Sequence, residues 1–143
     1  RAGAPRLTDG QLSDQVRSWM RAAHHPTQAG IPVEYVVVDP SAASFRLQLH
    51  QDGVASTPAD NDVNRGIATT ATLLAESQLV VADRCRGFVS EVAGYSWDDK
   101  ATEKGEDKPL KVADHSLDAS RYAIATTEAL WRSALPDPVR LAA

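Results

Sequence analysis

The stretch VEYVVVDP, residues 33–40, constrains the fold more than any other part of the chain. A β-branched and aromatic run broken only by Glu34 suits a strand buried on both faces, because a half-exposed strand would alternate apolar with polar. Such a strand implies a central sheet with helices covering it. Asp39-Pro40 closes the run, since proline has no N–H to carry a ladder onward and aspartate favours turns.

The segments on either side have helical periods. Val16, Trp19, Met20 and Ala23 recur at helical spacing and predict an amphipathic helix over residues 14–24 with Ser13 as its N-cap. Residues 41–50, with Phe45, Leu47 and Leu49, predict a short helix stopped by Gln51-Asp52-Gly53, and residues 53–57 a second short strand. A cap at Asn61 or Asp62 opens a third helix reaching about Ser77, with Ile67, Thr70, Ala71 and Leu74 on one face. Residues 78–82, QLVVA, read as a strand, residues from 83 as a helix with Phe88, Val89 and Val92 on one face, and YSWD at 95–98 as a brief strand. The segment 98–111 is a polar loop, and a last helix starts near Asp114 and ends before Pro136. Strands alternating with helices give an α/β domain with parallel pairing, which needs crossover helices. The expected organisation is a linker or frayed terminus at 1–10, one domain at 11–135 and a tail at 136–143.

Composition narrows the function classes. With 143 residues, 43% hydrophobic and 24% charged, the chain has the makeup of one globular domain. Apolar runs such as Val36-Val37-Val38 fall far short of the roughly 20 residues that span a bilayer, and no signal-peptide core is visible, so a cytoplasmic protein without membrane contact is expected. The single cysteine, Cys85, excludes an internal disulfide and any CxxC metal site and is expected to be a buried small hydrophobe. A formal net charge of -4 gives no global attraction to nucleic acid, so any such affinity must be local. No GxxxxGK[ST] loop occurs, and with it no visible nucleotide site.

The chemistry-bearing residues gather at two places. Asp39 ends the buried strand, where ligands collect in α/β sheets, although Asp before Pro is also an ordinary turn starter. Asp114, His115 and Asp118 open the last helix, and residues three and four apart share a helix face. Asp114 reads chiefly as an N-cap, where negative charge is favourable anyway. Asp118 divides between a solvated face and a ligand for a hard divalent cation such as Mg²⁺ or Mn²⁺, with Asp39 a second oxygen donor from a separate segment. Glu91 is a supporting candidate that reads equally well as a solvent-facing helix residue. Arg84, Arg86, Lys108 and Lys111 are weak phosphate-contact candidates on a surface of mixed charge.

The order of VVVDPSAASFRLQLHQDG, ADNDVNRGIATTATLLAESQLVV, CRGFVSEVAGYSWDDK and DHSLDASRYA resembles the C-terminal nuclease domain of phage terminase large subunits, from about Leu7 to Ala125. The closing DHSLDASRYA is the most specific element. The resemblance implies an RNase H-like mixed sheet flanked by helices, here lacking its first strands, and a metal-dependent endonuclease that cuts concatemeric double-stranded DNA. It matches Asp39 to the second family carboxylate, Asp118 to the last and His115 to a histidine beside a two-metal Mg²⁺ or Mn²⁺ site. The family's first aspartate lies upstream of the position of Asp39, and neither Asp9 nor Asp14 matches it. Implied partners are DNA, the terminase ATPase domain, the small terminase subunit and the portal; a homo-oligomer would cover an open sheet edge. An inactive docking module of the packaging motor is the alternative.

Overall fold

A computed structural model describes residues 6–22, 31–94 and 114–136. The chain divides into two compact units, Arg1–Ala59 and Asp60–Ala143. Each is built differently.

The first unit begins with helix α1, Asp9–Met20. It starts five residues earlier than the apolar spacing predicts, because Thr8 and Gln11 form a capping box: the Thr8 side chain accepts from Gln11 N–H, and the Gln11 side chain accepts from Thr8 N–H at 2.9 Å. Ser13, the expected cap, lies within the helix and is completely buried. The short strand β1, Val37–Val38, is followed by helix α2, Ala43–Gln51, and strand β2, Thr57–Pro58. The strands pair in parallel, Val37 with Thr57 and Val38 with Pro58, so α2 is the crossover that a parallel pair requires. Gly53, with φ of 83°, ends α2 in the left-handed conformation, and Val54 N–H returns to Leu49 C=O at 2.8 Å.

The α/β class and parallel pairing are as expected, but the sheet is much smaller than VEYVVVDP suggests. Two residues of that run form the ladder, both half-buried, and Tyr35 is 47% exposed. Thr57 N–H donates to Val36 C=O and Ala59 N–H to Val38 C=O, the alternate residues that face β1 in a parallel pair, so the N–H that Pro58 lacks would point away from β1 and its absence costs this ladder nothing. The core of this unit lies instead between α1 and α2, where Leu49 is fully buried.

The buried Ser13 hydroxyl of α1 donates to Asp52 Oδ2 at 2.6 Å, and Gln48 Nε2 donates to the same oxygen at 3.0 Å. These two hydrogen bonds, with the nearby positive charge of Arg17, outweigh partial desolvation and hold the Asp52 carboxyl below the usual range. A depressed folded-state value contributes stability above the ordinary carboxylate range, which is lost as pH falls through the lowered value. Ser13→Ala removes the largest cause. Its urea midpoint should fall at neutral pH, and stability should vary less steeply with pH below about 4 than in the unmodified protein; parallel acid dependences in the two proteins would refute the assignment.

The second unit holds α3, Val63–Ala75, α4, Arg86–Gly94, α5, His115–Thr126, and the short α6, Glu128–Trp131, continued by a 3-10 turn, Arg132–Ala134. Asp62 caps α3 as the sequence predicts, its side chain accepting from Arg65 N–H at 3.0 Å. No strand forms over 78–82: Gln78 and Leu79 N–H groups both turn back to Leu73 C=O, and Val80 is 85% exposed. Cys85 is exposed rather than buried, in the turn before α4. Helix α5 packs on both α3 and α4. Arg65 and Arg132 pair with Glu128 from two sides, which holds its carboxyl low, Arg132 contributing most. The expected strand at YSWD and the loop at 98–111 fall outside the described residues.

Candidate functional site

The start of α5 is organised by its neighbour. Asp114 is the N-cap by position and is buried, yet its side chain makes no capping hydrogen bond. Glu91 of α4 takes that role: its Oε2 accepts from Ser116 N–H at 2.7 Å and Leu117 N–H at 3.0 Å, which satisfies two of the donors a helix leaves open at its first turn. Gly87, one turn earlier on α4, permits the approach, since a Cβ there would lie 2.5 Å from Ser116 Oγ. The expected division of labour is thus corrected. Asp114 does not cap through its side chain, and Glu91 is a part-buried acceptor rather than a solvated residue.

One turn into α5, Asp118 is partly exposed, its side chain at 29%. Its Oδ1 accepts from Arg121 Nη2 at 2.8 Å, the i,i+3 spacing that puts both on one face. Arg121 itself is buried, with 4% of its surface exposed, and its guanidinium lies 4.7 Å from the centroid of the Tyr122 ring. Burial opposes the charge, but the hydrogen bond and attraction of Asp118, with a contribution from Tyr122, outweigh it and raise the guanidinium above its ordinary value. The Arg121 stem passes over Gly66 of α3, where a Cβ would come within 2.3 Å of Cγ and 2.6 Å of Cδ. Asp118 and Arg121 edge an apolar cleft walled by Leu74, Phe88, Val92 and Leu117. His115 is exposed at the first position of α5.

Asp39 belongs to the first unit and follows β1 as predicted. Its Oδ1 accepts from Ser41 N–H at 2.8 Å and Ser41 Oγ at 2.7 Å, so the carboxylate folds the turn after the strand. Arg84 lies in the turn before α4 and Arg86 is its exposed first residue, whereas Lys108 and Lys111 lie outside the described residues. Among the described residues, no three His, Cys, Asp or Glu side chains gather into a metal-binding group. In donor type, the Asp118 carboxylate fits a hard divalent cation, whereas the His115 imidazole is a borderline donor that suits transition-metal ions better. Arg121 engages one Asp118 oxygen, and the other has no hydrogen-bond partner among the described residues.

Sequence reasoning missed Arg121 and Gly66. The i,i+3 step from Asp118 to Arg121 was readable, and a glycine inside a helix signals close approach. That the approach is made by an arginine stem from α5 is a tertiary fact.

No family model matches the chain. It is 32% identical over 96 residues to the terminase large subunit of Escherichia phage T5, covering 64% of this chain and 22% of that protein. The large terminase of a thermophilic bacteriophage superposes with a TM-score of 0.75 at 38% identity, over 85% of this chain and 29% of that one. The complex of that terminase with ADP gives a TM-score of 0.75 at 37% identity, over 87% and 30%. The chain spans less than a third of the length of these relatives. No helix among the described residues is long and apolar enough to cross a membrane. Sequence and fold together make this chain a homologue of phage terminase large subunits.

Proposed function

We propose that the chain is part of the nuclease region of a DNA-packaging terminase, an RNase H-like piece that cuts concatemeric double-stranded DNA with Mg²⁺ or Mn²⁺. The observation that carries this reading is the Asp118 carboxylate: partly exposed, anchored through a single oxygen by a buried arginine, at the start of a helix in a chain homologous to terminase large subunits. By the resemblance, Asp118 and His115 of the second unit and Asp39 of the first are the residues assigned to the cation, which when bound would supply an activated water and stabilise the leaving oxygen. Glu91 keeps the first turn of α5 in place through its two backbone hydrogen bonds. DNA, the terminase ATPase domain, the small subunit and the portal are the partners this function requires, in the cytoplasm of a bacterial host.

Plasmid nicking with Mn²⁺ tests the reading. Asp118→Ala and Asp39→Ala should each reduce nicking to background while leaving the far-ultraviolet circular dichroism unchanged. Nicking that persists undiminished in Asp118→Ala removes the site. Exposed Val89, Val92 and Leu130 in the second unit favour the second reading, a docking module of the packaging motor. A docking module should show no Mn²⁺-linked rise in thermal stability, whereas a preformed site must be stabilised by the ion it binds.

A further inference from the structure

Arg121 is a costly residue to keep in this position. Its side chain is 5% exposed, and Nε and Nη1 are buried without hydrogen-bond partners among the described residues. Unpaired donors of a buried charged group are destabilising, and an apolar side chain of similar length would fill the same space over Gly66 without that penalty. Packing alone therefore does not explain an arginine. Its Nη2 donates to Asp118 Oδ1.

The surroundings leave Arg121 little freedom. Gly66 closes on Cγ and Cδ so tightly that no Cβ fits between them, and Tyr122 lies against the guanidinium. A pinned donor holds its acceptor in one orientation. The apolar walls of the adjoining cleft, Phe88, Val92 and Leu117 among them, strengthen that hold by lowering the local dielectric.

We infer that Arg121 is a positioning residue: through Nη2 it fixes the Asp118 carboxylate in one rotamer and leaves the second oxygen unengaged for a divalent cation. The metal-binding part of this inference rests on the reading of Asp118 as a ligand. Gly66 is the enabling residue, since the stem reaches Asp118 only along the space that a missing side chain leaves on α3.

The experiment compares the unmodified chain with Arg121→Met, which keeps the stem and removes the donor, and with Arg121→Leu, which removes the donor with less of the stem. Three-bond couplings of Asp118 measured by nuclear magnetic resonance report its side-chain rotamer without any metal. A single rotamer is expected in the unmodified chain and averaged couplings in Arg121→Met. Mn²⁺ affinity, read from the electron paramagnetic resonance signal of the free ion, should weaken about 10–100-fold in Arg121→Met, as for other residues that orient a metal ligand. A single Asp118 rotamer retained in whichever of the two variants folds, or an unchanged Mn²⁺ affinity there, overturns the inference. Asp118→Ala separates the two ideas: Mn²⁺ binding unaltered by it overturns Asp118 as a ligand, while the rotamer measurement still decides whether Arg121 positions that side chain.

Discussion

Leu49→Ala should lower the unfolding free energy by about 2–5 kcal/mol, the range for truncating a fully buried leucine. Leu49 has no exposed surface and sits where α2 faces α1, in a unit whose sheet contributes only two residues from each strand. Few other apolar side chains there are buried deeply enough to share the loss, so the cavity left by the missing isobutyl group should collapse little. Val54 N–H is bonded to the Leu49 carbonyl, which ties the end of α2 to the same point. Since small domains are stable by about 5–15 kcal/mol, the variant should lose a large part of its margin. Urea denaturation checks it; a fall below about 1 kcal/mol would show that Leu49 is not the centre of this core.

In the second unit, Phe88→Ala should cost about 3–5 kcal/mol. Phe88 is 8% exposed and is the buried residue of α4, the helix that packs on α5 and whose Glu91 caps α5. It also walls the cleft next to Asp118 and Arg121, so its loss widens an opening already present and lets water toward the ion pair. Two readouts should therefore move together: the thermal midpoint falls, and amide exchange at Ser116 and Leu117 quickens as the Glu91 cap loosens. A lower midpoint with unchanged exchange at those amides would mean that Phe88 stabilises α4 without holding it against α5. Both effects arise from one side chain because α4 carries the packing residue and the capping residue three positions apart, on a shared face.

The two residues also show where sequence patterns serve and where they fail. Phe45, Leu47 and Leu49 are apolar at every second position, the period of a strand, yet they lie in a helix, where such residues cannot share one face. Leu49 is buried and Leu47 is 58% exposed as a direct result. Phe88, Val89 and Val92 are predicted to share one face of this helix, but of the three only Phe88 is buried, with Val89 at 48% and Val92 at 44% exposure. Val80 is apolar enough to suggest a strand and is almost bare. Apolar composition marks the neighbourhood of a core, and the packing of helix on helix selects which members enter it.

Local chemistry is what the sequence by itself determined. The Asp62 cap, the glycine stop at Gly53 and the Asp39 turn all join residues close together in the chain, so their geometry is nearly fixed once their identities are known. The motif order that resembles terminase large subunits was legible for the same reason, since it is a property of the string. The tertiary structure alone decided that Glu91 rather than Asp114 caps α5, that Ser13 is buried against Asp52, and that Arg121 reaches Asp118 across Gly66. Glu91, Ser13 and Gly66 each meet partners from a different helix, tens of positions away in the chain. No local propensity specifies such pairings, because they form only when burying an apolar face brings two helices close enough for one to satisfy the other's polar groups.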